Sequence, residues 1–199
     1  MTDTKVMTDI KRCEWCGTDP QYQHYHDTVW GRPERDSREL FKKLCLDGQQ
    51  AGLSWITILR KEANYDAAFF AFDPVRVAAM TDAEADAQMH NAGIVRNRLK
   101  IRSIIKNAAA YLAIEQGGVD FSTYIWSFVG GQTITNGWLT KAEVPTETAE
   151  SRAMSKALKK SGFNFVGPTI CYAFMQAVGM VNDHQPSCHC YRAVAHQTP

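Results

Sequence analysis

This sequence has no apolar run that approaches the length of a membrane span, and its first residues lack the apolar stretch of a secretory leader. It has almost no net charge. The formal value is +1, so no global field announces a nucleic-acid partner, although local patches remain open to one. Six cysteines are too few to staple 199 residues as a disulfide scaffold, and their mixing with histidine favours a reducing compartment. No internal repeat, low-complexity segment or convincing period-two strand is present. These absences leave a soluble cytoplasmic protein as the expectation. A hydrophobic share of 45% is enough for a real core, and the length suits one domain or two small lobes.

What is present reads as helices. Asp36 and Glu39 form a capping-box pattern ahead of the stripe Leu40, Phe41, Leu44 and Cys45, and Asp47-Gly48 is expected to end that helix. Asp73-Pro74 opens another, with proline at the first helical position, and Thr81 with Glu84 repeats the capping box. Ile101, Ile104, Ile105, Ala108 and Leu112 mark a long helix that stops near Gly117-Gly118. Met154, Ala157 and Leu158 mark one that ends at Gly162, and Ile170, Phe174, Ala177 and Val178 mark the last. Residues 130–145 read as a long loop. The fold class expected is all-α, a bundle of several short helices.

Four potential metal ligands lie at opposite ends of the chain: Cys13 and His26 near the start, His184 and Cys188 near the end. Two sulfurs and two imidazoles are the ligand set of a closed tetrahedral zinc site, which here would tie the termini together. By residue type alone, ordinary packed side chains account for the same four. Cys13 and Cys16 also make a C-x-x-C that permits a rival site, with His189 and Cys190 as further candidates.

Two further segments are unusual for a helical core protein. Residues 162–167, Gly-Phe-Asn-Phe-Val-Gly, join two helices with glycine at both ends, a turn whose outward amides can bind a phosphate at a helix N-terminus. By residue type alone, a plain helix–helix turn is the favoured account of it. Lys156, Lys159 and Lys160 precede it, and a second basic cluster of Arg96, Arg98, Lys100, Arg102 and Lys106 follows the turn at residues 92–94. Residues 45–55 mix an acid, two amides, two glycines and a tryptophan. A carboxylate beside an aromatic plane suits a flat cationic heterocycle, which stacks and donates hydrogen bonds to the acid. Trp15, Tyr22, Tyr25 and Trp30 add aromatic surface nearby in sequence, although aromatics of this kind also build cores.

Taken together, Arg12-Cys13-x-Trp15, Tyr25-His26-Asp27-x-x-Trp30-Gly31 and the 45–55 block resemble the DNA-3-methyladenine glycosylase I family. So do the runs at residues 165–172 and 181–184. The resemblance covers about residues 12–191, which would be a glycosylase domain between an N-terminal extension, 1–11, and a C-terminal tail, 192–199. It implies a helix-hairpin-helix glycosylase fold with one structural zinc on Cys13, His26, His184 and Cys188, leaving Cys16, His189 and Cys190 as bystanders. It implies a monomer that flips 3-methyladenine out of double-stranded alkylated DNA and releases the free base. Asp47, Tyr25 and Trp55 would be the catalytic pocket, with Trp15, Tyr22 and Trp30 around them. Gln49, Gln50, Gly52 and Leu53 would probe the gap left by the flipped base, while Gly162, Phe163, Gly167 and Lys160 would anchor the backbone.

Two positions depart from the wider pattern. Many helix-hairpin-helix glycosylases carry a catalytic aspartate where this chain has Asn182, and the 3-methyladenine branch resembles this chain in lacking it. Asp47 stands where better-known members carry glutamate, one methylene longer. The leaving group is already cationic, so a strong general acid is not required. No lysine stands out in the sequence as a nucleophile, so water is expected to attack and to leave an abasic site in an intact strand. The competing readings are a non-catalytic zinc-stabilised damage-binding module and a hydrolytic zinc enzyme. The second would need an open coordination position that four protein ligands do not leave.

Overall fold

The structure is a computed structural model and describes residues 10–195. The chain starts most of its helices where side chains answer the first free amides. Asp19 accepts from Tyr22 N at the head of α1 (Pro20–Thr28), which has proline in its first turn. Asp36 accepts from the backbone of Arg38 and Glu39 to open α2 (Ser37–Gln50). The expected capping box is only half made, because Asp36 N donates to Glu34 Oε1 and not to Glu39. Two short helices follow, α3 (Trp55–Leu59) and α4 (Glu62–Ala68). Asp73 caps α5 (Pro74–Ala78), and Thr81 with Glu84 forms the complete capping box of α6 (Asp82–Ala87). Asn97 caps α7 (Arg98–Gln116), and Asp120 caps α8 (Phe121–Trp126).

The segment 130–145 is not wholly a loop. It carries β1 (Ile134–Thr135) and a single helical turn at Lys141–Glu143. Next come α9 (Ala149–Lys160), α10 (Pro168–Ala177), β2 (Val181–Asn182) and α11 (Cys190–Ala195). Strands β1 and β2 pair in parallel, Ile134 with Val181 and Thr135 with Asn182. Two residues per strand are too few to leave a periodic pattern in the sequence. Most of the expected N-terminal extension and half of the expected C-terminal tail lie outside the described residues. The boundary expected at residue 191 falls inside α11, whose Val194 is buried.

The centre of the fold is α2, packed against α3, α7 and α10. Leu40, Phe41, Leu44, Cys45 and Leu46 are buried in one core with Phe72, Phe121, Trp126 and Phe174. The helix does not stop at Asp47-Gly48 as its sequence suggests. It runs on to Gln50, and Gly48 serves close approach instead of termination. A Cβ there would lie 3.1 Å from Phe165 Cβ and 3.3 Å from the Phe165 carbonyl oxygen, in the turn between α9 and α10. Asp47 is therefore held inside the helix, with its side chain buried.

Candidate functional site

Neighbouring residues on α1 serve two different constellations. His26 joins Cys13, His184 and Cys188, whose ligating atoms all lie within 4.8 Å of one another, and all four residues are buried. Cys188 Sγ is 3.5 Å from His26 Nε2 and 3.6 Å from His184 Nδ1, and Cys13 Sγ is 3.6 Å from the same Nδ1. Zinc–sulfur and zinc–nitrogen bonds of ordinary length set a tetrahedral S···N edge of about 3.5 Å. The outer nitrogens are answered too. His26 Nδ1 lies 2.8 Å from Asp27 Oδ1, and His184 Nε2 lies 3.1 Å from the Trp30 carbonyl. Arg12 fixes that carboxylate, with its Nη2 2.7 Å from Asp27 Oδ2. A partner on the second ring nitrogen is the usual way a ligating imidazole is oriented. Cys16 is turned away, its thiol donating to the Cys13 carbonyl at 3.1 Å. A second convergence, His26 with Asp27, His189 and Cys190, shares His26 with the first.

The chain is shaped around this cluster. Gly31 has φ +81°, and a Cβ there would stand 2.8 Å from His184 Nε2. Asn182 is fully buried. Its Oδ1 accepts from His184 N at 3.2 Å, and its Nδ2 donates to the Tyr191 carbonyl at 3.1 Å. Asn182 thus braces a cluster histidine.

Tyr25 belongs to the other constellation. A cavity of about 340 Å³ is lined by Trp15, Tyr22, Tyr25, Trp30, Asp47 and Trp55, the six aromatic and acidic residues expected around a base. The Tyr25 and Trp55 rings are 5.6 Å apart and tilted by 43°. Asp47 is 1% exposed, and its Oδ2 has no hydrogen-bond partner. Its Oδ1 is ion-paired with Lys43, one turn earlier on α2. Burial pushes the Asp47 carboxyl above the ordinary carboxylate range and the Lys43 ammonium below its ordinary value, and their mutual attraction opposes both shifts. The Trp15 and Trp55 indole nitrogens are likewise buried without partners.

The sequence did not mark the remaining walls. Lys43 lies over the Trp55 ring, its Nζ 3.8 Å from the centroid. Thr169, Tyr172 and Gln176 enter from α10. Asp183 is buried and accepts from Tyr172, Gln176, Asn136 and Trp138 at 2.6 to 3.0 Å. Its four donors arrive from both sides of the β1–β2 pairing, a convergence that no local pattern shows.

The residues expected to meet DNA divide. Gln50 lines the cavity mouth, and Leu53 is 41% exposed just beyond it, next to Gly52. Gln49 is fully buried, its Nε2 donating to the Lys100 carbonyl at 3.0 Å, so it braces the core and does not face a duplex. Of the second basic cluster only Lys100 is buried; Arg96, Arg98 and Lys106 are exposed and Arg102 is half-buried. Lys100 caps the end of α2 through the Gln49 and Ala51 carbonyls at 2.7 Å, and Arg98 and Arg102 pair with Asp86. Lys156, Lys159 and Lys160 on α9 are exposed. In the following turn Phe163 is buried in the core, and its amide donates to the Leu158 carbonyl at 3.0 Å. The Asn164 amide is bound to Asn107 Oδ1 at 2.7 Å, while α10 opens at Gly167 without a side-chain cap.

A helical scaffold that encloses an aromatic cavity with an unanswered carboxylate defines a receptor for a flat, hydrogen-bond-donating ring. Residues 15–191 match the methyladenine glycosylase family, and the chain belongs to it. It is 55% identical over 182 residues to DNA-3-methyladenine glycosylase 1 of Escherichia coli K12, covering 92% of this chain and 97% of that protein. It is 54% identical over 179 residues to DNA-3-methyladenine glycosylase of Haemophilus influenzae, covering 90% and 97%. A crystal structure of 3-methyladenine DNA glycosylase I superposes with a TM-score of 0.90 at 54% identity, over 91% of this chain and all of the other. The Staphylococcus aureus enzyme, studied for its recognition of 3-methyladenine, superposes with a TM-score of 0.88 at 39% identity, over 90% of this chain and 96% of that one.

Proposed function

We propose that this protein is a DNA repair glycosylase that excises 3-methyladenine from alkylated duplex DNA. The observation that carries the reading is the unanswered Asp47 Oδ2 inside an aromatic cavity of about 340 Å³. Similarity over nearly the whole chain to proteins named for this activity supports it. The flipped base stacks in the cavity against Tyr25 and Trp55, and its exocyclic amino group donates to Asp47 Oδ2. A damaged, weakly paired base costs less to extract, which contributes selectivity before any pocket contact is made. The glycosidic electron pair then moves to the ring nitrogen, the base leaves neutral, and water adds to the sugar carbon and loses a proton to solvent. The exposed lysines of α9, the uncapped start of α10 and the Gln50–Leu53 loop are the groups best disposed to hold the duplex. The enzyme releases the base without cutting the strand.

The cysteine–histidine quartet fits one structural zinc, held by Cys13, His26, His184 and Cys188. The edge lengths, the complete burial and the answered outer nitrogens support that assignment. With four protein ligands the metal supplies folding free energy and no open position for catalysis.

Free-base release from duplex DNA treated with a methylating agent tests the function. Chromatography is expected to show 3-methyladenine with little 7-methylguanine, on strands that remain intact until base or a lyase is added. Equal release of both bases, or nicks without such treatment, contradicts this reading. Binding of the damaged duplex with no release of base supports a non-catalytic sensor instead.

A further inference from the structure

Lys43 is out of keeping with a pocket for a cationic base. Its side chain is only 15% exposed, it is ion-paired to the one carboxylate that the base would use, and its ammonium stands over the ring on which the base would stack. The pocket therefore sets a positive charge directly beside that carboxylate; its other charged walls are Asp183, already held by four donors, and the exposed Lys141. We propose that Lys43 is a specificity-determining residue that cancels the charge of Asp47, so that the pocket disfavours the methylated base while it is cationic and tolerates it once it is neutral.

The consequence follows from where charge moves in the reaction. Before cleavage the ring carries the positive charge and is repelled by the nearby ammonium. As the carbon–nitrogen bond breaks, its electrons flow into the ring and the charge passes to the sugar, further from Lys43. Repulsion is relieved on the way to the transition state, so the lysine weakens ground-state binding and speeds the chemical step. An isolated carboxylate would do the reverse and hold the cationic ground state too well. Asp47 on its own helix and Glu62 on α4 are the charges that face it, and Glu62 is already engaged by Lys42 at 2.9 Å.

The inference rests on the base-pocket reading, and two probes separate the two. Neutral 3-methyladenine and 3,9-dimethyladeninium, a fixed cation with a methyl group where the sugar would attach, are titrated against the full-length protein by tryptophan fluorescence. The parent is expected to favour the neutral probe. Lys43→Met and Lys43→Gln are expected to shift the affinity ratio about tenfold toward the cation, while Lys43→Arg keeps the parental ratio. In excision from methylated duplex, the two uncharged variants should lower KM and kcat together, each by about tenfold, a split that simple loss of structure does not produce. Glutamine keeps a hydrogen bond to Asp47 and so preserves the test if methionine unfolds the pocket. An unchanged probe ratio in the folded uncharged variants overturns the role of Lys43 and leaves the base pocket standing. A parent that neither binds 3-methyladenine nor excises it overturns both.

Discussion

Two buried polar constellations meet at α1, one on His26 and one on Tyr25, and they are finished in opposite ways. Around His26 each imidazole nitrogen named above has a counterpart: sulfur on the inner side, and Asp27 or the Trp30 carbonyl on the outer. Around Tyr25 three buried polar atoms are left over, Asp47 Oδ2 and the indole nitrogens of Trp15 and Trp55. A fully answered network rigidifies what it holds, whereas an unanswered buried group carries a desolvation penalty that a ligand relieves. The first is built to be closed and the second to be filled. Trp15 belongs to both, its ring 5.4 Å from that of His26 and 4.9 Å from that of Tyr22. The closed cluster thus braces one wall of the open pocket.

The sharpest way to break the comparison is to open the closed site. Cys13→Ala is expected to remove bound metal and to lower unfolding free energy by about 4 kcal/mol or more, because metal affinity is coupled to folding. Metal analysis and urea unfolding measure this. A chelator should reproduce the loss in the parent. Cys16→Ala should keep full metal content, since its thiol points to the Cys13 carbonyl and away from the quartet. A variant pair that behaves in the reverse way reassigns the ligands.

Neutralising the open site should act on chemistry more than on metal content. Asp47→Asn removes a charged acceptor and leaves Lys43 without its partner. Single-turnover excision is expected to fall by the equivalent of about 1–3 kcal/mol, the usual range for a lost charged hydrogen bond. Metal content should be unchanged. If the folded variant excises 3-methyladenine at the parental rate, the carboxylate is not the recognition element. Trp55→Ala should also lose activity with the metal in place.

These two regions were not equally legible in the sequence. By residue type the quartet stayed open to rivals, and the family resemblance selected it over Cys16; the structure turns the Cys16 thiol to the Cys13 carbonyl. The aromatic and acidic members of the pocket showed through their clustering near residues 15–30 and 47–55. Lys43, Tyr172 and Asp183 did not: Lys43 stands one helical turn before Asp47, a local spacing that could have marked it, whereas Tyr172 and Asp183 join the pocket through tertiary packing, on a face of α10 and just after β2. Caps at Asp36, Asp73 and Thr81 were readable since a cap is a local chemical event. The end of α2 was misread because a glycine that admits Phe165 looks, in sequence, like one that ends a helix. Gln49 and Lys100 were misread for a related reason. Polar residues next to a loop look exposed until the carbonyls that they satisfy are visible.

Asn182 tests whether an acid alone would turn the closed site toward catalysis. Asn182→Asp keeps an acceptor for His184 N but removes the donor to the Tyr191 carbonyl and buries a charge. Stability is expected to fall by about 1–3 kcal/mol with no gain in excision rate, since the residue faces the cluster and not the cavity. Thermal unfolding beside single-turnover excision measures both. Faster excision by this variant would place the position at the reacting sugar after all.

The smallest effect on the fold, and the finest test of the pocket's edge, is expected at Leu53. The side chain is 41% exposed beside Gln50 at the cavity mouth, so it contributes little to the core. Leu53→Ala should change unfolding free energy by no more than about 0.5 kcal/mol, as surface substitutions generally do. If Leu53 fills the gap left by the flipped nucleotide, the variant should bind free 3-methyladenine as the parent does yet excise it more slowly from duplex DNA. Gln49→Ala supplies the contrast. It removes a fully buried amide that ties α2 to the Lys100 carbonyl, and is expected to cost about 1–3 kcal/mol of stability through the unpaired groups left behind. Duplex excision and free-base binding, measured side by side on both variants, separate a residue that handles DNA from one that holds the helix beneath it. Parallel losses in both assays for Leu53→Ala would mean that the loop shapes the pocket itself and does not act on the duplex.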